Sequence, residues 1–469
     1  MCLISKIGEN NNFNNEYLLI YKKESYYINH FCKIKYQLNN YLQSLAFWKG
    51  FSPIVINEFY EIGLVIQLIG QNNDSEYFPP IHLEIMDIKK DFLSKPLIGL
   101  KDIGATIYMN ATLQCLCSIR QFVNYFKYNS RLIEIIKNDI NKEKLCSGFK
   151  LLIENLYPYE LSQNYKIYKN KNPNNKIISR TDIAKKYYSP RNMKEIISKI
   201  NPLFAGKDVK DIKDFVKFLL ITLHEELNRA QESQIDKTSE NIYINETNKK
   251  LMFNNYVENF ISNYQSIISD LFIALECNII QCSNCKVISY NYQIYFFLIF
   301  PLEKINKYKS INNIGFNSNT VDIYDCFDYY KKINFSSGEN AMYCDYCKHT
   351  CNSSMQTNLT TGPEILIIIL NRGEKNEYNV KINFYQELNL YNYIELNQTG
   401  FQYELIGIIT NTNNLGFEGH FVAYCKELWN NQWFTYDDTS ISQINDFKGE
   451  VIDLAIPYIL FYQKKKNEC

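Results

Sequence analysis

Three groups of residues in this chain have types and spacings that could do chemistry. The first is two Cys-x-x-Cys pairs, Cys282 and Cys285 in "CSNC" and Cys344 and Cys347 in "CDYC". Four thiolates on two short knuckles can close a tetrahedral shell around Zn²⁺, and a closed four-sulfur shell is structural because no position is open for a reacting molecule. The gap between the pairs is long, so the segment between them must fold back; the competing reading is four buried thiols. His349 and Cys351 lie just beyond the second pair and could substitute for a ligand. The second group is "GHFVAYCKELWNNQWFTYDD", in which His420 follows a glycine and opens a strand, and the next strand ends in Asp437 and Asp438. A His and an Asp on adjacent antiparallel strands can lie side by side, and the carboxylate then orients the imidazole as a general base. The chain has only 5 histidines, which adds weight to one so placed. The third is "GLKDIGATIYMNATLQCL", Gly99 to Leu116, a glycine-bearing turn leading into a helix. A helix N-terminus lowers the pKa of a thiol mounted there, through the dipole and the unpaired N–H groups. The residue on that mount is Ile107, which has no nucleophilic atom.

The elements that must position these groups can be read from periodicity. From Asn110 to about Phe126 the pattern is helical, with Leu113, Leu116, Cys117 and Phe122 recurring on one side. Asp211 to Asn228 reads as a second helix, striped by Ile212, Phe215, Leu219, Leu220, Leu223 and Leu227. After about residue 270 the chain turns to strands: "NIIQC", "VISYNYQIYFFLIF", "EILIIILN", "YELIGIIT", "HFVAYCK", "QWFTYDD" and "YILFYQ". Helices first and strands later predict an α+β domain of two lobes, with a cleft where they meet. Residues 1–92 read as short aromatic and β-branched strands, "EYLLIYKK", "SYYINHFCKIKY", "SPIVINEF" and "GLVIQLIG", and so as a small β-rich N-terminal domain. Its Cys2, Cys32, His30 and His82 have no metal-ligand spacing.

Composition bounds the rest. The 469 residues suffice for two to three domains, and 46% of them are hydrophobic, so a large core can be buried. Lysine plus arginine and aspartate plus glutamate each number 50, so the formal charge is zero; no basic footprint for nucleic acid is present, and the Lys464–Lys466 run reads as a solvated tail. No window is long and apolar enough for a membrane span, and the opening "MCLISKIGENNNFNN" is too short an apolar run for a secretory signal. An intracellular protein, cytoplasmic or nuclear, is expected. The 14 cysteines then read as metal ligands and buried thiols rather than a disulfide scaffold.

These motifs together resemble the ubiquitin-specific proteases. Gly99–Leu116 is similar to that family's cysteine box, GLxNxGNTCYMNAxLQxL, and "GHFVAYCKELWNNQWFTYDDTSISQI" to its histidine box. "DIKDFVKFLLITLHEEL" resembles its DAxEFLxxLLDxLHEEL segment, "GPEILIIILNR" its PxxLxxxLxRF strand and "PYILFYQ" its closing strand. The matches run in order over about four-fifths of the chain. The resemblance implies a papain-like thumb, palm and fingers fold over residues 95–465, with fingers at about 276–356 carrying structural zinc on Cys282, Cys285, Cys344 and Cys347, and a cleft for the ubiquitin tail. It implies that His420 is the general base, Asp437 the residue orienting it, Asp438 the second acidic position of that box, and Asp211 a contact to the ubiquitin tail.

Two positions depart from the pattern. Ile107 stands where the family has its nucleophilic cysteine, and Asp102 where an asparagine donates to the oxyanion. An ionised Asp102 would accept hydrogen bonds and repel a developing negative charge. Losing a nucleophile costs about 10⁶-fold in kcat in a comparable triad enzyme. Cys115 is too far along the helix to replace it, at about 12 Å of axial rise, and Cys117 is farther still. The expectation is a catalytically inactive ubiquitin-binding protein acting as scaffold or regulator. The alternatives are an active cysteine-type deubiquitinase using an unforeseen nucleophile, and an interaction module that no longer binds ubiquitin.

Overall fold

The computed structural model describes residues 97–128, 132, 136, 144–157, 187–229, 246–312, 319–372, 380–395, 401–411, 420–427, 432–452 and 456–465, together with the backbone of four strands nearer the start. The chain divides into two compact units, one of Met1–Pro96 with Tyr157–Ser179 and one of Leu97–Leu156 with Arg180–Cys469.

In the first unit β1 (Cys2–Glu9) and β2 (Asn12–Tyr21) form an antiparallel hairpin, and β3 (Leu64–Ile69) and β4 (His82–Asp87) form another. β2 and β3 fall on "EYLLIYKK" and "GLVIQLIG". The segments "SYYINHFCKIKY" and "SPIVINEF", with His30 and Cys32, lie outside the described residues. β1 falls on the opening segment, which is not among the four strand-like stretches read in residues 1–92.

The second unit opens on the short strand Gly99–Leu100, paired in parallel with Tyr187–Tyr188, and continues with helices. α1 (Ile107–Leu116), α2 (Arg120–Tyr128), α3 (Leu145–Leu156), α4 (Arg191–Ile200) and α5 (Ile212–Glu226) make one lobe. The single helical run expected from Asn110 to Phe126 is two helices. Its break has a local cause: Cys117 N–H closes on Leu113, but Ser118 and Ile119 turn to the i−3 carbonyls of Cys115 and Leu116, and the Ser118 hydroxyl donates to Gln114 O at 2.8 Å. The lobe's core is aromatic. Phe122, Phe126 and Phe149 stack edge to face or tilted, and Tyr108 packs edge-on against Phe215 at 5.1 Å.

The strands follow. β5 (Ala274–Cys282), β6 (Ile288–Tyr295) and β10 (Ser353–Leu359) form an extended antiparallel sheet in the order β10-β5-β6, flanked beyond β10 by the short strand Asn334–Ser336. A hairpin of β8 (Met342–Cys344) and β9 (His349–Cys351) precedes β10. The larger, eight-stranded sheet runs β15-β14-β13-β12-β16-β11-β7, with Glu387–Asn389 pairing off β12. Its strands are β7 (Leu298–Pro301), β11 (Ile365–Asn371), β12 (Gln402–Asn411), β13 (Phe421–Lys426), β14 (Trp433–Asp437), β15 (Ser440–Ile444) and β16 (Pro457–Lys464). Central β11, "ILIIILN", is buried at six of seven positions, which is why it reads as an unbroken apolar run rather than an alternation. The sheet gives Phe300, Ile368, Tyr403, Leu460 and Tyr462 to a core cluster that also holds Phe327 of the helix Ile323–Tyr330.

α1 is the element that joins lobe to sheet. Tyr108 faces the helical lobe, while Cys115 Sγ lies 3.9 Å from Ile408 O on β12 and 3.8 Å from Cys425 Sγ on β13. A helix contacted on both sides is buried all round, and Tyr108 through Leu116 are all buried, the polar Asn110, Thr112 and Gln114 donating to Leu100 O, Tyr108 O and Ile98 O. The only partly exposed residue of α1 is its first, Ile107.

Candidate active site and metal centre

The turn before α1 is closed by Asp102. Its Oδ1 accepts from Gly104 N at 3.1 Å, Thr106 N at 2.9 Å and the Thr106 hydroxyl at 2.8 Å, and the Thr106 hydroxyl in turn accepts from Ile103 N at 3.1 Å. Gly104 has φ +111°, a conformation that only glycine adopts without strain. Ala105 has φ 51°, where an L residue costs about 1–2 kcal/mol. Partial desolvation raises the Asp102 carboxyl, and the hydrogen bonds from Thr106 and Gly104 lower it by more, so the group sits below the ordinary carboxylate range. A fixed anion is thereby tied to the positive end of α1. It fills the place from which the resemblance would have an amide donate.

His420 and Asp437 come together as expected. His420 Nε2 and Asp437 Oδ1 are 2.5 Å apart, with His420 just ahead of β13 and Asp437 at the end of β14. The register pairs Ala423 with Tyr436, so continuing it outward sets Asp437 opposite Val422, and His420, two residues beyond Val422, reaches the carboxylate diagonally. Asp438 joins them, and one ligand atom from each of the three residues lies within 4.8 Å of the others.

Asp438 also holds the two boxes together. Its Oδ1 accepts from Asn110 Nδ2 at 2.7 Å, and its main-chain oxygen accepts from Leu100 N at 2.8 Å. Asn110 Nδ2 donates again to Leu100 O at 3.2 Å. Gly99 is required by this approach, because a Cβ there would sit 2.5 Å from Asp438 O and 2.7 Å from Thr439 Cα. Burial pushes the Asp438 carboxyl up, the Asn110 amide works against that, and the charges of Asp102 and Asp437 add to the rise. Asn110 is one helical turn on from Ile107 and on the same face, so the N-terminus of α1 points to the end of the sheet that carries His420. Asn110 and Ala105 were not singled out from sequence. A buried Asn in a helix is the signal for the first, since its side chain prefers caps and turns unless a partner holds it.

Asp211 lies elsewhere on the helical lobe, at the N-cap of α5. Its Oδ1 accepts from Lys213 N at 2.7 Å, and Oδ2 pairs with Lys213 Nζ at 3.1 Å. Lys213 Nζ also reaches Asn371 Oδ1 at 3.4 Å, at the end of β11. The carboxylate is thus committed to its own helix and to a lysine that ties the helix to the sheet.

At the far end of β5, Cys282, Cys285, Cys344 and Cys347 converge, all four sulfurs within 4.8 Å of one another. Cys282 and Cys347 are 4.0 Å apart, and Cys285 and Cys344 are 3.6 Å apart. Tetrahedral bonds of about 2.3 Å to sulfur require S···S edges of roughly 3.8 Å, so the set fits a metal ion. Both knuckles have the same turn: Lys286 N–H returns to Cys282 O at 3.0 Å and Lys348 N–H to Cys344 O at 2.8 Å, with φ 61° and 60° at the two lysines. The Cys285 N–H lowers the pKa of the Cys282 thiol, whereas desolvation raises those of the Cys285 and Cys347 thiols. His349 and Cys351 stand beside the quartet, and with Cys347 they form a second group of three donors within 4.8 Å.

Comparison with known proteins agrees with this architecture. The model of the family described as ubiquitin carboxyl-terminal hydrolase matches residues 98–462. Ubiquitin carboxyl-terminal hydrolase 2 of Bos taurus is 24% identical over 374 residues, covering 78% of this chain and 55% of that protein. Ubiquitin carboxyl-terminal hydrolase 5 of Saccharomyces cerevisiae is 25% identical over 392 residues, covering 78% and 45%. The chain spans about half the length of these relatives. In fold it is similar to a chain of the solved SAGA Ubp8/Sgf11/Sus1/Sgf73 DUB module bound to ubiquitin aldehyde, at a TM-score of 0.53 and 19% identity over 80% of this chain and 71% of that one. No helix among the described residues is long and apolar enough to cross a membrane. A family match over most of the chain, on the α+β architecture just described, makes this protein a member of the ubiquitin carboxyl-terminal hydrolase family, of the ubiquitin-specific protease kind.

Proposed function

We propose that this protein binds ubiquitin or ubiquitinated proteins without cleaving them, as a pseudo-deubiquitinase with scaffold or regulatory duty inside the cell. The observation that carries the reading is the N-terminus of α1. The turn and helix that would mount a nucleophile are built and tied to Asp438 through Asn110, the His420–Asp437 pair is formed beside Asp438, and the first residue of the helix is aliphatic. Asp102 adds a second obstacle, since a carboxylate held in its ionised form cannot donate to an oxyanion and opposes thiolate formation at position 107. Cys115 supports the inactive reading too: it is 2% exposed and its sulfur faces β12 and β13, not the open end of the helix. In this reading Asp211 and Asp438 line the path of the ubiquitin tail, and the cysteine quartet holds structural zinc that shapes the fingers.

The test is a pair of proteins, wild type and Ile107→Cys, assayed for ubiquitin affinity and for cleavage of a fluorogenic ubiquitin substrate. The expected result is equal binding by both and turnover by the variant only. Turnover by wild type overturns the inactive reading. Absence of ubiquitin affinity in both overturns the ubiquitin reading and leaves an interaction module for another partner.

A further inference from the structure

The tip of the fingers holds more soft donors than one metal ion uses. Cys347 belongs to two groups at once: with Cys282, Cys285 and Cys344, and with His349 and Cys351. The second group is a product of the β8–β9 hairpin. Its register pairs Cys344 with His349 and Met342 with Cys351, and Cys347 lies in the turn. His349 and Cys351 are two residues apart on one strand, so they share a face. Cys351 Sγ is 3.3 Å from His349 Nδ1. Metal bonds of about 2.3 Å to sulfur and 2.0–2.1 Å to nitrogen ask for an S···N edge of roughly 3.5 Å in a tetrahedron. Cys351 is only 6% exposed although it sits near the end of an extended sheet. Two contacts compete: His349 Nδ1 to Thr350 O at 3.1 Å and the Cys351 thiol to His349 O at 3.5 Å, both of which ligation would give up.

We propose that the fingers hold two soft divalent metal ions, one in the cysteine quartet and a second on Cys347, His349 and Cys351, with the Cys347 thiolate bridging them. This rests on the zinc reading of the quartet. Charge favours the second ion. One divalent ion among four thiolates leaves a formal charge of −2; a second ion bringing the Cys351 thiolate and a neutral imidazole leaves −1. Thiolate and imidazole donors select zinc-like ions over magnesium or calcium. The second ion has three protein donors, so its fourth position falls to solvent, unlike the closed quartet.

Cobalt(II) in place of zinc tests this on the full-length, reduced protein under anaerobic conditions. Bound metal is counted by elemental analysis, and electron paramagnetic resonance follows each addition. Two high-spin cobalt ions sharing a thiolate couple magnetically, so the expected signal per cobalt falls as the second equivalent binds. Cys351→Ser and the exposed-site variant His349→Ala should each bind one cobalt with undiminished signal. A single cobalt in wild type, a second cobalt kept by both variants, or a second cobalt without loss of signal each overturns the proposal. Binding of none would overturn the quartet reading as well, and so is told apart from failure of the second site alone.

Discussion

The cleft and the tip of the fingers are two chemical sites mounted on one unit, and they differ in completeness. At the tip every donor of a tetrahedral shell is in place, and the knuckle turns are matched down to the left-handed lysines. At the cleft His420 and Asp437, proposed as base and orienting carboxylate, are in contact, and the position proposed for a nucleophile holds Ile107. The difference follows from what each residue does for folding. In the zinc reading, a cysteine removed from the quartet would take away the ion that closes the hairpin of Met342–Cys351 onto the end of β5. Position 107 is half exposed at the start of a helix whose other residues are buried, so an aliphatic side chain there neither opens a cavity nor strands a polar atom.

The largest effect should therefore be at the tip. Removing metal with a chelator, or Cys285→Ser, should melt the β8–β9 hairpin and both knuckles while α1 and the eight-stranded sheet stay folded. Apparent zinc affinities of about 10–16 kcal/mol in isolated zinc-finger peptides set the upper scale. Hydrogen exchange by mass spectrometry would show protection lost at 282–286 and 342–351 and kept at 107–116. Equal loss in both regions would show that the sites are not energetically separate.

The next effect is in the cleft. Ile107→Cys alone places a thiol beside the Asp102 carboxylate, so its turnover should be slow. Adding Asp102→Asn keeps an Oδ1 for Gly104 and Thr106, removes the charge and supplies an amide donor. An oxyanion donor is worth about 10²–10³-fold in kcat, and the double variant should exceed the single by that factor on a fluorogenic ubiquitin substrate. An unchanged rate would mean that Asp102 does not face the reacting carbonyl.

How much of this was legible in the sequence differs along the chain for physical reasons. The central strand Ile365–Asn371 was plain because burial on both faces leaves an unbroken run of branched residues. His420 and Asp437 were legible as a pair because only one short connection separates their strands, so adjacency fixes the register. The Asn110–Asp438 bond was not, because it joins residues 328 apart and no periodicity reports a tertiary contact. The helices Leu302–Asn312 and Ile323–Tyr330 were hidden within a stretch rich in strands. The second carries a capping box at Asp322 and Asp325, a local signal outweighed by the aromatic, strand-like composition around it.

Asn110 sets the third test. Asn110→Ala removes two hydrogen bonds and leaves the partly buried Asp438 carboxylate without its amide donor. A loss of about 1–3 kcal/mol is expected, since an unsatisfied buried group keeps its desolvation cost. Denaturant unfolding measures it. The sign at low pH is part of the prediction. Asp438 is already shifted upward in the folded protein, which disfavours its charged form there. Losing the amide raises it further, so the destabilisation should be full at neutral pH and shrink as pH falls and the group protonates. A pH-independent loss would place the cost in packing around Asn110 and not in the carboxylate it serves.

The smallest effect separates structure from recognition at Asp211. Its Oδ1 caps α5 and its Oδ2 pairs with Lys213, so part of any loss on substitution is simply the loss of a helix cap. Asp211→Ala should cost about 1 kcal/mol of stability, and Asp211→Asn only a few tenths, because asparagine caps nearly as well. The ion pair adds little, since partly exposed pairs are worth about 0–1 kcal/mol. Ubiquitin binding should not follow the same order. If the carboxylate meets the ubiquitin tail, Asn and Ala should weaken binding alike while differing in stability, and isothermal titration on both variants at a temperature where each is folded reads that difference directly. Binding that tracks stability instead would assign Asp211 to the helix alone.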